Sequence, residues 1–105
     1  MTVKLLRRKF TVEQFHKMAE SGILNEDDRV ELIRGEIIEM AAIGLKHAAC
    51  VNRLNNLLPQ KLGDKVIISI QNPVGLDDSS QLQPDVALLQ PREDFYASAH
   101  PQPKD

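Results

Sequence analysis

Apolar positions recur along this chain at two periods, and the change from one period to the other marks out the elements. Phe15, Met18 and Ala19 follow Thr11 at helical spacing. Thr11 with Gln14 three residues on makes a capping box, and Phe10 with Phe15 has the spacing of a hydrophobic staple. The pattern predicts a short helix stopped by Gly22 in the left-handed conformation, with Ile23 folding back onto Met18 in a Schellman motif. Asn25-Glu26-Asp27-Asp28 lacks the alternation and the glycine of a calcium loop, so it reads as a solvated turn. Val30 to Ile33 and Glu36 to Met40 flank Arg34-Gly35, a two-residue connection with glycine where positive φ is needed, which predicts a hairpin. Its register pairs Leu32 with Ile37 and Glu31 with Ile38. Neither face is then cleanly apolar: either the hairpin is partly exposed or one of Glu31, Glu36 and Glu39 has a specific task, with edge charges that block stray pairing as the plainer account.

Residues 45 to 62 carry the longest helical pattern, with Cys50, Val51, Leu54, Leu57, Leu58 and Leu62 on one stripe and Gly63 closing it. His47 falls in that stripe, in the first turn, and so points at whatever the helix packs on. A hydrogen-bonded core imidazole is the common outcome at such a position, and a site role is the alternative. Pro59 removes the bond to the Asn55 carbonyl and is expected to kink the helix or end it early. Lys65 to Gln71 reads as a strand, Asn72-Pro73 as a bend with Val74 to Leu76 continuing beyond it, and Asp77-Asp78-Ser79-Ser80 as a plain turn. Gln83-Pro84-Asp85-Val86-Ala87-Leu88-Leu89 is a strand whose proline sits at its start, where a missing N–H does least harm. Alternation sets Asp85 on the same face as Ala87 and Leu89, and a carboxylate there needs a cation, a metal ion or hydrogen-bond donors. The two strands are expected to pair antiparallel behind the long helix. From Gln90 the chain becomes a polar, proline-punctuated connector anchored by Phe95 and Tyr96. A chain that stops on such a connector reads as a domain cut before its next strand, leaving the edge of the Asp85 strand open to a second chain and so to a homo-oligomer.

Composition narrows the classes. With 105 residues the chain forms one small domain, and with 42% hydrophobic residues but only three Phe, one Tyr and no Trp, its core is built from Leu, Ile and Val. Stacking on nucleotide bases is not the natural mode of contact. Thirteen basic against fifteen acidic residues leave a net charge of -2, so any phosphate contact is local. Lys4, Arg7, Arg8 and Lys9 offer such a contact, with a solvated terminus as the plainer reading, and His16 beside the first apolar stripe reads as a surface histidine. The single cysteine, Cys50, excludes an intrachain disulfide, and no apolar run reaches membrane-spanning length, which suits a cytoplasmic protein without a membrane partner.

The order Phe10-Thr11-Val12-Glu13, Val30 to Ile37, Gly44-Leu45-Lys46-His47, Val51-Asn52-Arg53-Leu54 and Gln83 to Leu89 resembles a bacterial family of endonuclease-like proteins called Uma-two. That family is similar to the restriction-endonuclease-like PD-(D/E)XK superfamily, with Pro84-Asp85 in the place of the PD. The resemblance implies an α+β fold with an α/β core, an incomplete restriction-endonuclease-like arrangement on a mixed sheet. Residues 1–43 would hold the first helix and hairpin, 44–89 the start of the nuclease-like core, and 90–105 the connector. It implies Mg2+ or Mn2+ as cofactor with Asp85 as a ligand, supporting roles for His47 and Glu31, and nucleic acid, most naturally DNA, as partner. The strand expected to bring the second acid and the lysine does not occur in the sequence, and Lys104 lies in the connector and does not replace it. The truncated chain alone is therefore expected to be inactive. A non-catalytic interaction protein pairing through the sheet edge and a decayed gene product are the alternatives.

Overall fold

Thr11 sets the start of the first helix, α1 (Val12–Glu20), in the computed structural model, which describes residues 5–105; Lys4 of the basic cluster lies outside them. The Thr11 hydroxyl accepts the Gln14 N–H at 3.1 Å and the Gln14 side chain accepts the Thr11 N–H at 2.9 Å, so two otherwise orphaned donors are satisfied reciprocally. Phe15 is the residue α1 buries. Gly22 is left-handed as expected, with φ +85. The bond that closes the helix, however, comes from the N–H of Leu24 to the Met18 carbonyl at 3.0 Å. The reversal is one residue longer than a Schellman motif, and Ile23 is left 72% exposed instead of folding onto Met18.

The hairpin of β1 (Val30–Ile33) and β2 (Glu36–Glu39) has the register read from the sequence, Leu32 opposite Ile37 and Glu31 opposite Ile38. Arg34 and Gly35 both take positive φ, 49 and 80, the type I′ turn whose twist matches the strands. Gly35 is required twice over, since a Cβ there would lie 2.9 Å from the Lys9 Cβ and 3.2 Å from the Phe10 carbonyl oxygen.

Two expectations for the middle of the chain are corrected. Val74–Asp77 is a strand, β4, but it does not prolong the strand before it: Gln71 at φ 53 and Asn72-Pro73 turn the chain into a different sheet. Asp78-Ser79 then reverses it into β5 (Ser80–Leu82), which the sequence reading took for turn and connection. β5 lies between β1 and β4 in an antiparallel sheet of order β2-β1-β5-β4, with Leu32 opposite Gln81. Its apolar signal is weak because its buried residues are polar and bonded. The Ser80 hydroxyl accepts the Arg34 N–H at 2.9 Å, and the Gln81 side-chain oxygen lies 2.6 Å from His16 Nε2. Leu32, at the centre of this sheet, is fully buried.

The second sheet pairs β3 (Ile67–Ile70) with β6 (Val86–Leu89) antiparallel, Ile67 opposite Leu89 through Ile70 opposite Val86. The expected long helix, α2 (Leu45–Leu62), packs on β3 and is followed by a single 3-10 turn at Gly63–Lys65. Val51 is buried and Leu54, Leu58 and Leu62 half-buried, while Cys50 and Leu57, assigned to the same stripe, are exposed. Pro59 does not shorten α2. It stands in the last turn, where it deletes one bond to Asn55, an exposed residue, and the Gly63 N–H caps the Pro59 carbonyl.

Beyond β6 the chain is strapped down more closely than a connector. The Tyr96 hydroxyl donates to the Gln90 carbonyl at 2.6 Å, and the Arg92 guanidinium lies 4.6 Å from the Tyr96 ring centre. The Pro101 carbonyl accepts the Gly75 N–H at 2.9 Å, and the Asp105 carbonyl accepts the Gln90 N–H at 2.7 Å. Pro101 is buried, whereas Phe95, expected as an anchor, is 73% exposed. Two helices with antiparallel sheets make the α+β mix expected, consistent with a partial restriction-endonuclease-like fold, but the mixed sheet is corrected: every strand pair among the described residues is antiparallel, in two separate sheets. No helix among the described residues is long and apolar enough to cross a membrane.

Candidate active site

Asp85 immediately precedes β6, and its carbonyl accepts the Gln71 N–H at 3.0 Å, so the β3–β6 ladder fixes its backbone. His47 is the third residue of α2, which starts from Gly44 in extended conformation without a side-chain cap. The two side chains meet. His47 Nε2 lies 3.0 Å from Asp85 Oδ2, with the side chains 49% and 42% exposed. The sheet thus places the acid and the helix N-terminus places the imidazole, from segments 38 residues apart in the chain. The histidine faces a carboxylate at the surface, where the sequence reading had left a core role as the common outcome. Beside the pair is a cleft of about 220 Å³ lined by Arg29, Met40, Ala41, Ala42, Ile43 and Gly44.

Glu31 forms no hydrogen bond or ion pair with Asp85 or His47 among the described residues. Its Oε2 accepts the Gln83 N–H at 2.8 Å, two residues before Asp85, so it ties β1 of one sheet to the chain entering β6 of the other. Of the three hairpin glutamates, Glu31 therefore has a structural task. Glu36 fits the surface-charge account: hydrogen bonds from Lys9 and then Arg7, at 2.7 and 3.0 Å, hold its carboxyl below the usual range. Those bonds direct two of the basic terminal side chains at Glu36.

The sequence reading missed two features. Arg29 lines the cleft beside Asp85, although nothing in its neighbours marks it out. A larger cleft of about 490 Å³ lies between α1, β4, β5 and the strap, where the His16 and His100 rings stand edge to face with centroids 5.8 Å apart. Burial, and then the proximity of His16, push the His100 imidazole below its ordinary value. His16 is thus a packed, bonded side chain, not a plain surface one. Its neighbours there are an amide and a second imidazole, so the acid–imidazole contact singles out the smaller cleft.

A magnesium-type ion is held by oxygen ligands, commonly one or two carboxylates together with waters and substrate phosphates. At this cleft the protein offers one carboxylate, Asp85, already in contact with an imidazole, and among the described residues no three His, Cys, Asp or Glu gather to hold a metal ion. This donor set falls short of a magnesium site.

An α+β domain with an aspartate–histidine contact at the mouth of a sheet strand is what the fold and the geometry define. The chain belongs to the Uma2 family, described as "putative restriction endonuclease", whose model matches residues 12–105, from α1 through the strap. No match is found among curated proteins.

Proposed function

We propose that the Asp85–His47 pair is part of a divalent-ion-dependent phosphodiester-cleaving site of PD-(D/E)XK type, acting on nucleic acid, with DNA as the natural substrate. The supporting observation is the 3.0 Å contact between the two side chains at the start of β6, in a member of a family described as endonucleases. By itself this donor set does not hold Mg2+ or Mn2+; Asp85 would supply one of the oxygen ligands that such an ion needs. His47 positions that carboxylate, and Glu31 acts one step further out by holding Gln83. Such an ion polarises phosphate and acidifies water, chemistry that needs more oxygen ligands than these residues bring. No hydrolytic step is therefore assigned to them, and the chain by itself is inactive.

Two measurements test this reading. Mn2+ added to the chain should broaden the NMR signals of Asp85 and His47 at millimolar concentration and leave those of His47 sharp in Asp85→Ala; no broadening in the unaltered chain would remove the ligand role. Incubation with supercoiled and linear DNA in Mg2+ or Mn2+ should give no cleavage above buffer. Cleavage that disappears in Asp85→Ala would establish an active site and overturn the inactivity.

A further inference from the structure

The β3–β6 sheet has two strands, and the helix that supports it, α2, packs on β3, so β6 is its less supported side. The whole chain also exposes more than a compact monomer would. Its accessible surface is 8248 Å², against about 5,900 Å² for a folded monomer of 11.8 kDa. Its radius of gyration is 16.5 Å, against about 13 Å for a compact chain of this length. The exposed residues 5–9 contribute to both, and the whole surplus is larger than the roughly 800 Å² per partner that a stable interface buries.

The backbone of β6 says where a partner fits. The Asp85 carbonyl points toward β3, where it accepts the Gln71 N–H, while the Gln90 N–H points away to the Asp105 carbonyl. Strand alternation then turns the N–H and C=O of Ala87 and Leu89 toward β3 and those of Val86 and Leu88 outward. Outward, Val86 and Leu88 have no partner among the described residues. Within Val86–Leu89 the edge has no lysine, proline or bulge, and Leu88 is 48% exposed, while Asp105 takes the outward place at Gln90 and ends the free edge there.

We infer that β6 pairs antiparallel with β6 of a second copy of this chain, about a two-fold axis through Ala87. The register follows from the ends of the strand. Pro84 has no N–H to give, and the Gln90 N–H is already taken, so the available donors are centred on Val86 and Leu88. With the axis at Ala87, Val86 of each copy faces Leu88 of the other and exchanges both bonds, and the exposed Leu88 gains an apolar neighbour. The product is a four-stranded sheet, β3-β6-β6-β3, with the two Asp85 carboxylates on one face about 14 Å apart. The inference stands apart from the nuclease reading, since neither needs the other.

Light scattering on the full chain from micromolar to near-millimolar concentration should show mass rising from 11.8 kDa toward twice that value. Leu88→Pro deletes an outward N–H and no bond to β3, so it should give a monomer with unchanged circular dichroism. In a Cys50→Ser background, Ala87→Cys should oxidise to a disulfide-linked dimer, because residues on the axis form the close, non-hydrogen-bonded pair. Leu76→Cys in the same background should not. A monomer at every concentration overturns the inference, and slow amide exchange at Val86 and Leu88 in that monomer would assign the edge to another segment. A dimer that survives a folded Leu88→Pro, or the absence of cross-linking through Ala87→Cys, overturns it as well.

Discussion

The four-stranded sheet and the two-stranded sheet are built to different standards, and the candidate chemistry lies on the weaker of the two. The first is cross-tied from several directions. Its hairpin turn accepts the Phe10 N–H at Gly35, its Gly35 N–H reaches Ser79, and the Asp78 carbonyl receives the Val12 N–H from the start of α1. Leu32 is sealed at its centre. The second sheet has α2 on β3, Val51 and Leu89 as its buried apolar residues, and an open edge at β6. Asp85 and His47 sit at its margin. Stability and site are thus carried by separate parts of the fold, and the part bearing the site stands to gain most from a partner.

That contrast is open to test, beginning with the largest effect. Leu32→Ala should cost about 3 to 5 kcal/mol in urea unfolding, because the site is fully enclosed and cannot relax, whereas Leu89→Ala should cost nearer 2 kcal/mol. Equal losses would erase the difference between the sheets. Gly35→Ala should cost about 1 to 3 kcal/mol by the same measurement, since it meets both a positive φ and the Lys9 and Phe10 atoms above it. Asp85→Asn should change stability by less than about 1 kcal/mol, because the pair is nearly half exposed, while abolishing Mn2+ broadening at His47. A large stability loss there would make the pair structural.

The smallest effect is a pH dependence of the strap. His100 is held below its ordinary value by burial and then by His16, so the unfolded chain takes up the proton first as pH falls. The stability it contributes is therefore complete above about pH 6.5 and is lost as pH drops through the folded value. His16, Asp77 and Gln102 line the same cleft, and of these His16 adds to the shift. The protection of the Gly75 amide, which is bonded to Pro101, taken relative to its intrinsic exchange rate, should fall over that interval, and this fall should be absent in His100→Gln.

Local signals made much of this fold legible. The capping box at Thr11, the Arg34-Gly35 turn and Gly63 after a leucine-rich stripe are each written within a few residues, and the helices and hairpin bounded by them lie where expected. β5 was not legible because it is held by pairing on both sides and by bonds from Ser80 and Gln81, so it carries no apolar alternation. Cys50 and Leu57 share the helical period of Val51 yet lie exposed: a stripe gives a face, not the width of what covers it. At the site, Asp85 stood out as a carboxylate on an apolar face and His47 as a polar residue in a stripe. Their residue types pointed to chemistry, but their meeting depends on where α2 starts relative to β6. Glu31 was one of three hairpin glutamates with edge charge as the plainer account, and its partner, a backbone N–H 52 residues away, has no trace in the spacing.

The strap has a mechanical consequence. Between Gln90 and Asp105 it grips β4 through Pro101 and closes on the end of β6 through Asp105, while its outermost ring, Phe95, projects into solvent. A protease that prefers aromatic residues would therefore meet its target on a span that joins the two sheets. Nicking there should loosen their mutual orientation before it unravels either, leaving the imidazole beside its carboxylate on a platform that can swing.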